Sequence, residues 1–181
     1  MELSEVISAR RSVREYLDSP LSEDKIEKLL EAARWAPSWA NTQCVRYVVI
    51  RDTEIKKDLK ETLTPSNPAR PSFDTCPVIL AVVAKLGVAG CKKGVAVDDK
   101  QWHMFDSALS VQNISLSAAA LGLGTVIVGA FDYKKADSIL SVSEGFQTVA
   151  FLPLGYPKSA PSAPPRKPLA EITFKEKFGQ S

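Results

Sequence analysis

The chain is poor in the residues that usually advertise catalysis. It has one histidine, His103, and three cysteines among 181 residues. Cys44, Cys76 and Cys91 are odd in number and show no CxxC spacing. That argues against a disulfide framework and a zinc site, and it predicts a reducing, cytoplasmic setting. Long apolar runs are missing too: the most apolar stretch, Val78–Ala84, is closed by Lys85 and is far too short to span a bilayer. The opening Met1-Glu-Leu-Ser-Glu has neither the basic start nor the apolar run of a signal peptide. A large charge imbalance is also absent. With 23 Lys and Arg against 21 Asp and Glu, the net charge is +2, so no nucleic-acid or membrane-surface partner is expected. No GxSxG elbow, HExxH pair, Cys/His cluster or distinctive carboxylate pair occurs, so no metal site and no catalytic side chain is predicted. An enzyme of this composition borrows its reactive group from a cofactor.

What is present is enough apolar material, 45% of residues, for one core, and no linker divides the chain. Residues 1–181 are therefore expected to form one domain, with residues 153–181 as an extended C-terminal arm. Leu3 to Arg10 carries a helical face of Leu3, Val6 and Ile7. Ser22 is a candidate N-cap for a helix with Ile26, Leu29, Leu30 and Ala33 on one side, stopped by Pro37. Val45–Arg51 is β-branched and aromatic, a strand, and Asp52–Leu63 follows as a helix before a Pro/Ser/Asn loop through Ser72. The run PVILAVVA predicts a strand covered on both faces. Gly87–Lys100 is expected to be a polar loop.

His103–Leu121 predicts a helix with two apolar stripes. One contains Phe105, Ala108, Leu109, Gln112, Leu116 and Ala119, the other Val111, Ile114, Ala118 and Leu121. Such a helix either runs through the centre of the domain or turns one face to another subunit. Gly122 stops it, TVIVGAF predicts a third strand, Lys134–Leu140 a short helix, and TVAFLPL a fourth strand. Six of the twelve prolines lie between Pro153 and Pro168, which predicts an extended arm. Its tip, Ile172-Thr-Phe174, is expected as a strand that pairs away from its own domain.

Two polar concentrations stand out. Arg10, Arg11 and Arg14 flank Ser12 at the end of the first helix. Cations suit a helix C-terminus, but three guanidinium groups within five residues repel one another unless an anion such as phosphate shares the site. Arg166-Lys167 on the arm could return to the same anion. The second concentration is APSWANTQ, where Ser38, Asn41 and Gln43 offer groups able to read a flat heterocycle, or serve as turn formers. GLGTVIVG lacks dinucleotide-fold order, because its glycines follow a helix and open a strand.

Together these pieces resemble the nitroreductase family of FMN-dependent oxidoreductases. RRSVREY resembles its phosphate-binding start, and APSWANTQCVRYVVI its A-P-S-x-x-N-x-Q-P-W-R-F-x-V-V element. ALGLGTVIVGAF is similar to its central helix end and flavin-facing strand, and LPLGYPKSAPSAPPRKPLAEI to its closing segment. Cys44 and Val45 stand where Pro and Trp are common in the family, and insertions over the active site are small. The resemblance implies an α+β fold: a mainly antiparallel sheet flanked by helices, with the C-terminal arm exchanged in a homodimer and FMN at the subunit interface. It implies that Arg10, Arg11 and Ser12 hold the FMN phosphate with Arg166 and Lys167, and that Arg14 lies near the pyrimidine edge. It places Pro37, Ser38 and Asn41 against the flavin from the other subunit, Gln43 nearby, and the backbone of Val128 and Gly129 by the reactive nitrogen. Hydride would pass from NADH or NADPH through FMN to a quinone, nitroaromatic or related acceptor by a ping-pong mechanism. Dehalogenation, flavin fragmentation and non-enzymatic FMN binding are the alternatives.

Overall fold

The computed structural model describes residues 2–98, 100–159 and 161–180. Its elements, in chain order, are α1 (Leu3–Ala9), α2 (Glu23–Arg34), a 3-10 turn (Trp39–Asn41), β1 (Val45–Ile50), α3 (Thr53–Lys60), α4 (Arg70–Thr75), β2 (Val78–Lys85), β3 (Cys91–Lys92), β4 (Val95–Ala96), α5 (Trp102–Ala120), β5 (Gly124–Thr125), α6 (Tyr133–Ile139), β6 (Phe146–Gly155) and α7 (Leu169–Ile172). The main sheet is antiparallel, in the order β1-β2-β6-β5. The α+β expectation holds. Among the described residues no helix is long and apolar enough to cross a membrane.

The apolar run of β2 follows from its position. Val78, Leu80 and Val82 pack against Ile26, Leu29 and Ala33 of α2 and Val111, Ile114 and Ala118 of α5. The alternate residues Ile79 and Ala81 face Leu59, Phe73 and Phe151 in a second core on the opposite side. A strand with a core on each face has no place for polar alternation. Burying each of these aliphatic side chains contributes about 1.5–3 kcal/mol.

Four expectations change. Only Gly124–Thr125 of the third strand forms a ladder, and farther on Val128 meets Phe151 through paired N–H···O bonds of 2.9 Å. Both contacts share one register with β6, and that register sets Val126 opposite Pro153. Proline has no N–H to give at that rung, so the strand is interrupted there. The loop through Ser72 contains the start of α4, with Pro71 in its first turn, where the missing N–H is harmless. The loop Gly87–Lys100 includes the hairpin β3–β4, turned by positive φ at Lys93 and Gly94. Finally, Leu169–Ile172 is a short helix, followed by the extended Thr173, and no strand forms there among the described residues. A lone strand needs a neighbouring edge, and residues 161–180 are all exposed. Of the two stripes on α5, Val111, Ile114 and Ala118 are buried, while Phe105 is 57% exposed.

Candidate functional site

After α1 the chain extends, and Ser12 forms a parallel bridge with Thr125 while Val13 donates its N–H to the Thr125 carbonyl at 3.0 Å. The approach is close. A Cβ on Gly124 would sit 2.7 Å from Val13, so only glycine admits the strip at this distance. Arg10 and Arg11 are thus pinned beside the sheet, lining a cavity of about 170 Å³ with Ser115, Thr125 and Pro157. The Thr125 hydroxyl there is buried and finds no hydrogen-bond partner among the described residues. Leaving such a group unsatisfied costs about 1–3 kcal/mol. Two guanidinium groups and an unpaired hydroxyl make a donor set suited to an anionic oxygen. One Arg11 nitrogen meanwhile donates to the Ser8 and Arg10 carbonyls at 2.6 and 2.9 Å.

Arg14 goes elsewhere. It lines a separate cavity of about 350 Å³ with Ser66, Asn67 and the backbone turn that contains Val128 and Gly129. Asn67 ties this wall together, donating from Nδ2 to the Ala130 carbonyl at 3.1 Å and accepting the Ala69 N–H at 2.9 Å. Two residues after Arg14, Tyr16 is buried, its hydroxyl 2.7 Å from the Val13 carbonyl and 2.9 Å from that of Pro153. Burial raises its pKa, so the phenol stays protonated.

Pro37, Ser38 and Gln43 line a third cavity, of about 380 Å³, between α2, β1 and α5. The loop is tightly wound: Ala40, Asn41 and Gln43 have φ of 45°, 54° and 47°. Ser38 Oγ accepts the Gln43 N–H at 2.9 Å, and both carboxylate oxygens of Asp106 accept the Trp39 N–H, at 3.0 and 3.1 Å. The Cys44 thiol is pushed up to about 11, first by burial and then by the charge of Asp106. His103, one turn earlier on α5, has its pKa lowered by burial, and its Nε2 is buried with no partner among the described residues. Arg166 and Lys167 are exposed on the arm, where Arg166 reaches only the carbonyls of Pro164 and Pro165, at 3.2 and 3.3 Å.

Within one chain the twelve candidate residues therefore fall into separate groups. The strip Arg10–Arg14 and the turn at Val128–Gly129 adjoin through β5. The Pro37–Gln43 loop lines a cavity that shares no residue with theirs, and the arm residues stand apart. Three further residues were not singled out from sequence: Thr125, Asn67 and Asp106. Only Asp106 left a usable signal there, as the lone carboxylate in a helix without Lys, Arg or Glu.

A family model described as the nitroreductase family matches residues 7–156. A protein of Archaeoglobus fulgidus, provisionally named an NADH dehydrogenase/NAD(P)H nitroreductase, is 30% identical over 161 residues, covering 87% of this chain and 86% of its own. The FMN reductase [NAD(P)H] of Bacillus subtilis is 25% identical over 195 residues, covering 98% of this chain and 74% of its own. The crystal structure of a nitroreductase family protein from Clostridium difficile superposes with a TM-score of 0.85 at 27% identity, covering 98% of this chain and all of that one. With the pinned arginine strip, the interrupted strand beside it and these matches in agreement, the chain belongs to the nitroreductase family.

Proposed function

We propose that this chain, an NAD(P)H-dependent oxidoreductase using FMN, works as a homodimer with two composite sites, each completed by both protomers. The observation that carries this reading is the separation of the candidate residues, together with an arm that bears Arg166 and Lys167 and whose residues 161–180 are all exposed. Arg10, Arg11 and Ser12 hold the FMN phosphate, helped by the Thr125 hydroxyl and by Arg166 and Lys167. The unpaired, buried hydroxyl of Thr125 supports the fit. Arg14, on the wall of its own cavity, would supply positive charge near the bound ring, which would favour an anionic reduced form. The backbone of Val128 and Gly129 forms one wall, and Pro37, Ser38, Asn41 and Gln43 of the partner protomer form the other.

The chemistry supplied by bound FMN is hydride uptake and release at its ring. The protein's own share is positional. Its residues would orient the ring, neutralise its phosphate and leave room beside it for NADH or NADPH and for a quinone or nitroaromatic acceptor. This accounts for the lack of a catalytic acid or base, and of a nucleotide-binding βαβ unit.

The test is to purify the protein, record its visible spectrum and follow NAD(P)H oxidation with a quinone. A yellow dimer giving parallel double-reciprocal plots as both substrates vary is the expected result. A colourless monomer that takes up no added FMN overturns the reading.

A further inference from the structure

Asp106 is 2% exposed, and the groups donating to it are neutral. They are the Trp39 N–H, shared between both oxygens, and at 3.5 Å the Thr42 hydroxyl and the Cys44 thiol. A buried carboxylate without a cation is costly, and α5 would pack more simply with an apolar residue at this position. All three donors come from one short stretch, the end of the Pro37–Cys44 segment. That stretch holds three non-glycine residues in the left-handed region, a conformation kept only where the surroundings over-determine it. Asp106 also lines the cavity to which Pro37, Ser38 and Gln43 contribute. Cys44 is where the chain departs from the proline common at this place in the family motif, and its thiol is one of the donors.

We propose that Asp106 is a positioning residue: through Trp39, Thr42 and Cys44 it clamps the Pro37–Gln43 loop onto α5 in the shape that walls the flavin pocket of the dimer. The inference rests on the composite-site reading above. The charge matters because a carboxylate accepts from several N–H, O–H and S–H groups at once, whereas an amide must turn its NH2 toward one of them.

The experiment compares Asp106→Asn with the parent protein by three readouts. In FMN-free protein, amide hydrogen exchange of residues 38–44 is expected to quicken at least tenfold, with β2 and β6 unchanged. The dissociation constant for FMN is expected to rise about tenfold. In the FMN-loaded enzyme the quinone KM is expected to rise about tenfold while kcat stays within twofold. Trp39→Pro removes the main donor and leaves Asp106 in place, so it should reproduce these changes, while Trp39→Phe should not. The Trp39 pair decides the matter if Asp106→Asn does not fold. Unchanged exchange, or faster exchange with unaltered FMN affinity and KM, overturns the clamp. A parent protein that binds no FMN at all overturns the composite-site reading instead.

Discussion

Residues 146–155 and 161–180 lie only a few positions apart and follow opposite rules. In β6, seven of ten residues are buried, and the strand pairs with β2 from Phe146 to Leu154, with one register shift at Val149, and with β5 at its end. In residues 161–180 of the arm every residue is exposed, and Leu169, Ile172 and Phe178 keep 77%, 59% and 92% of their surface open. Large apolar side chains left open together mark a surface that meets a partner. The difference teaches that β6 is ordered by its own chain, while the arm carries apolar groups whose burial needs something outside it. The exposed stripe of α5 around Phe105 belongs to the same class.

Deleting residues from Pro161 onward breaks the comparison most severely. The expected outcome is a monomer without flavin that keeps the helix and sheet content of the body, seen by size-exclusion chromatography, absorbance at 450 nm and circular dichroism. An intact yellow dimer would contradict it. The next largest effect is expected inside the body. Replacing Arg10 and Arg11 by Ala removes charge-assisted bonds of about 1.5–3 kcal/mol each, so FMN affinity should fall by about a hundredfold or more with the dimer intact. Fluorescence titration measures this, and Arg166→Ala with Lys167→Ala should give a smaller loss, since those side chains are held less rigidly.

The smallest effect sharpens the contrast between buried and open chain. Burial pushes Cys44 up to about 11 and Cys76 up to about 12, from the usual 9.0. Both are therefore neutral thiols at pH 8 and should resist iodoacetamide in the native protein, while Cys91, half-buried on the hairpin, should react. Above pH 9 the unfolded chain releases these protons and the folded one does not, so stability present below pH 9 declines as the pH rises toward 12. Urea unfolding at pH 8 and pH 10.5 checks the direction.

Much of this molecule was legible in its sequence where the cause was local. The double-sided burial of β2 shows as an unbroken apolar run, and α2 shows as Ile26, Leu29 and Ala33 one turn apart. The family motifs appeared in order because they are contiguous stretches. What escaped has causes distant in the chain. TVIVGAF has every local mark of a strand, and it is broken by a proline 27 positions after Val126. Ile172–Phe174 has strand-like composition but no edge in its own chain to pair with. Thr125 and Asn67 look ordinary in isolation, and only the folded chain sets them beside Arg11 and Arg14. The three guanidinium groups, read as one knot, are divided between two cavities because the strip runs alongside β5.

Pro153 does more than end a ladder. By withholding one donor it leaves the opposite strand unbonded to β6 between Thr125 and Val128, and the residues of that gap, Val126 and Ile127, line the cavity that also holds Arg14, while Tyr16 takes up the carbonyl that Pro153 still offers. A single imino acid thereby interrupts the sheet without unravelling it, since pairing resumes two positions on at Val128.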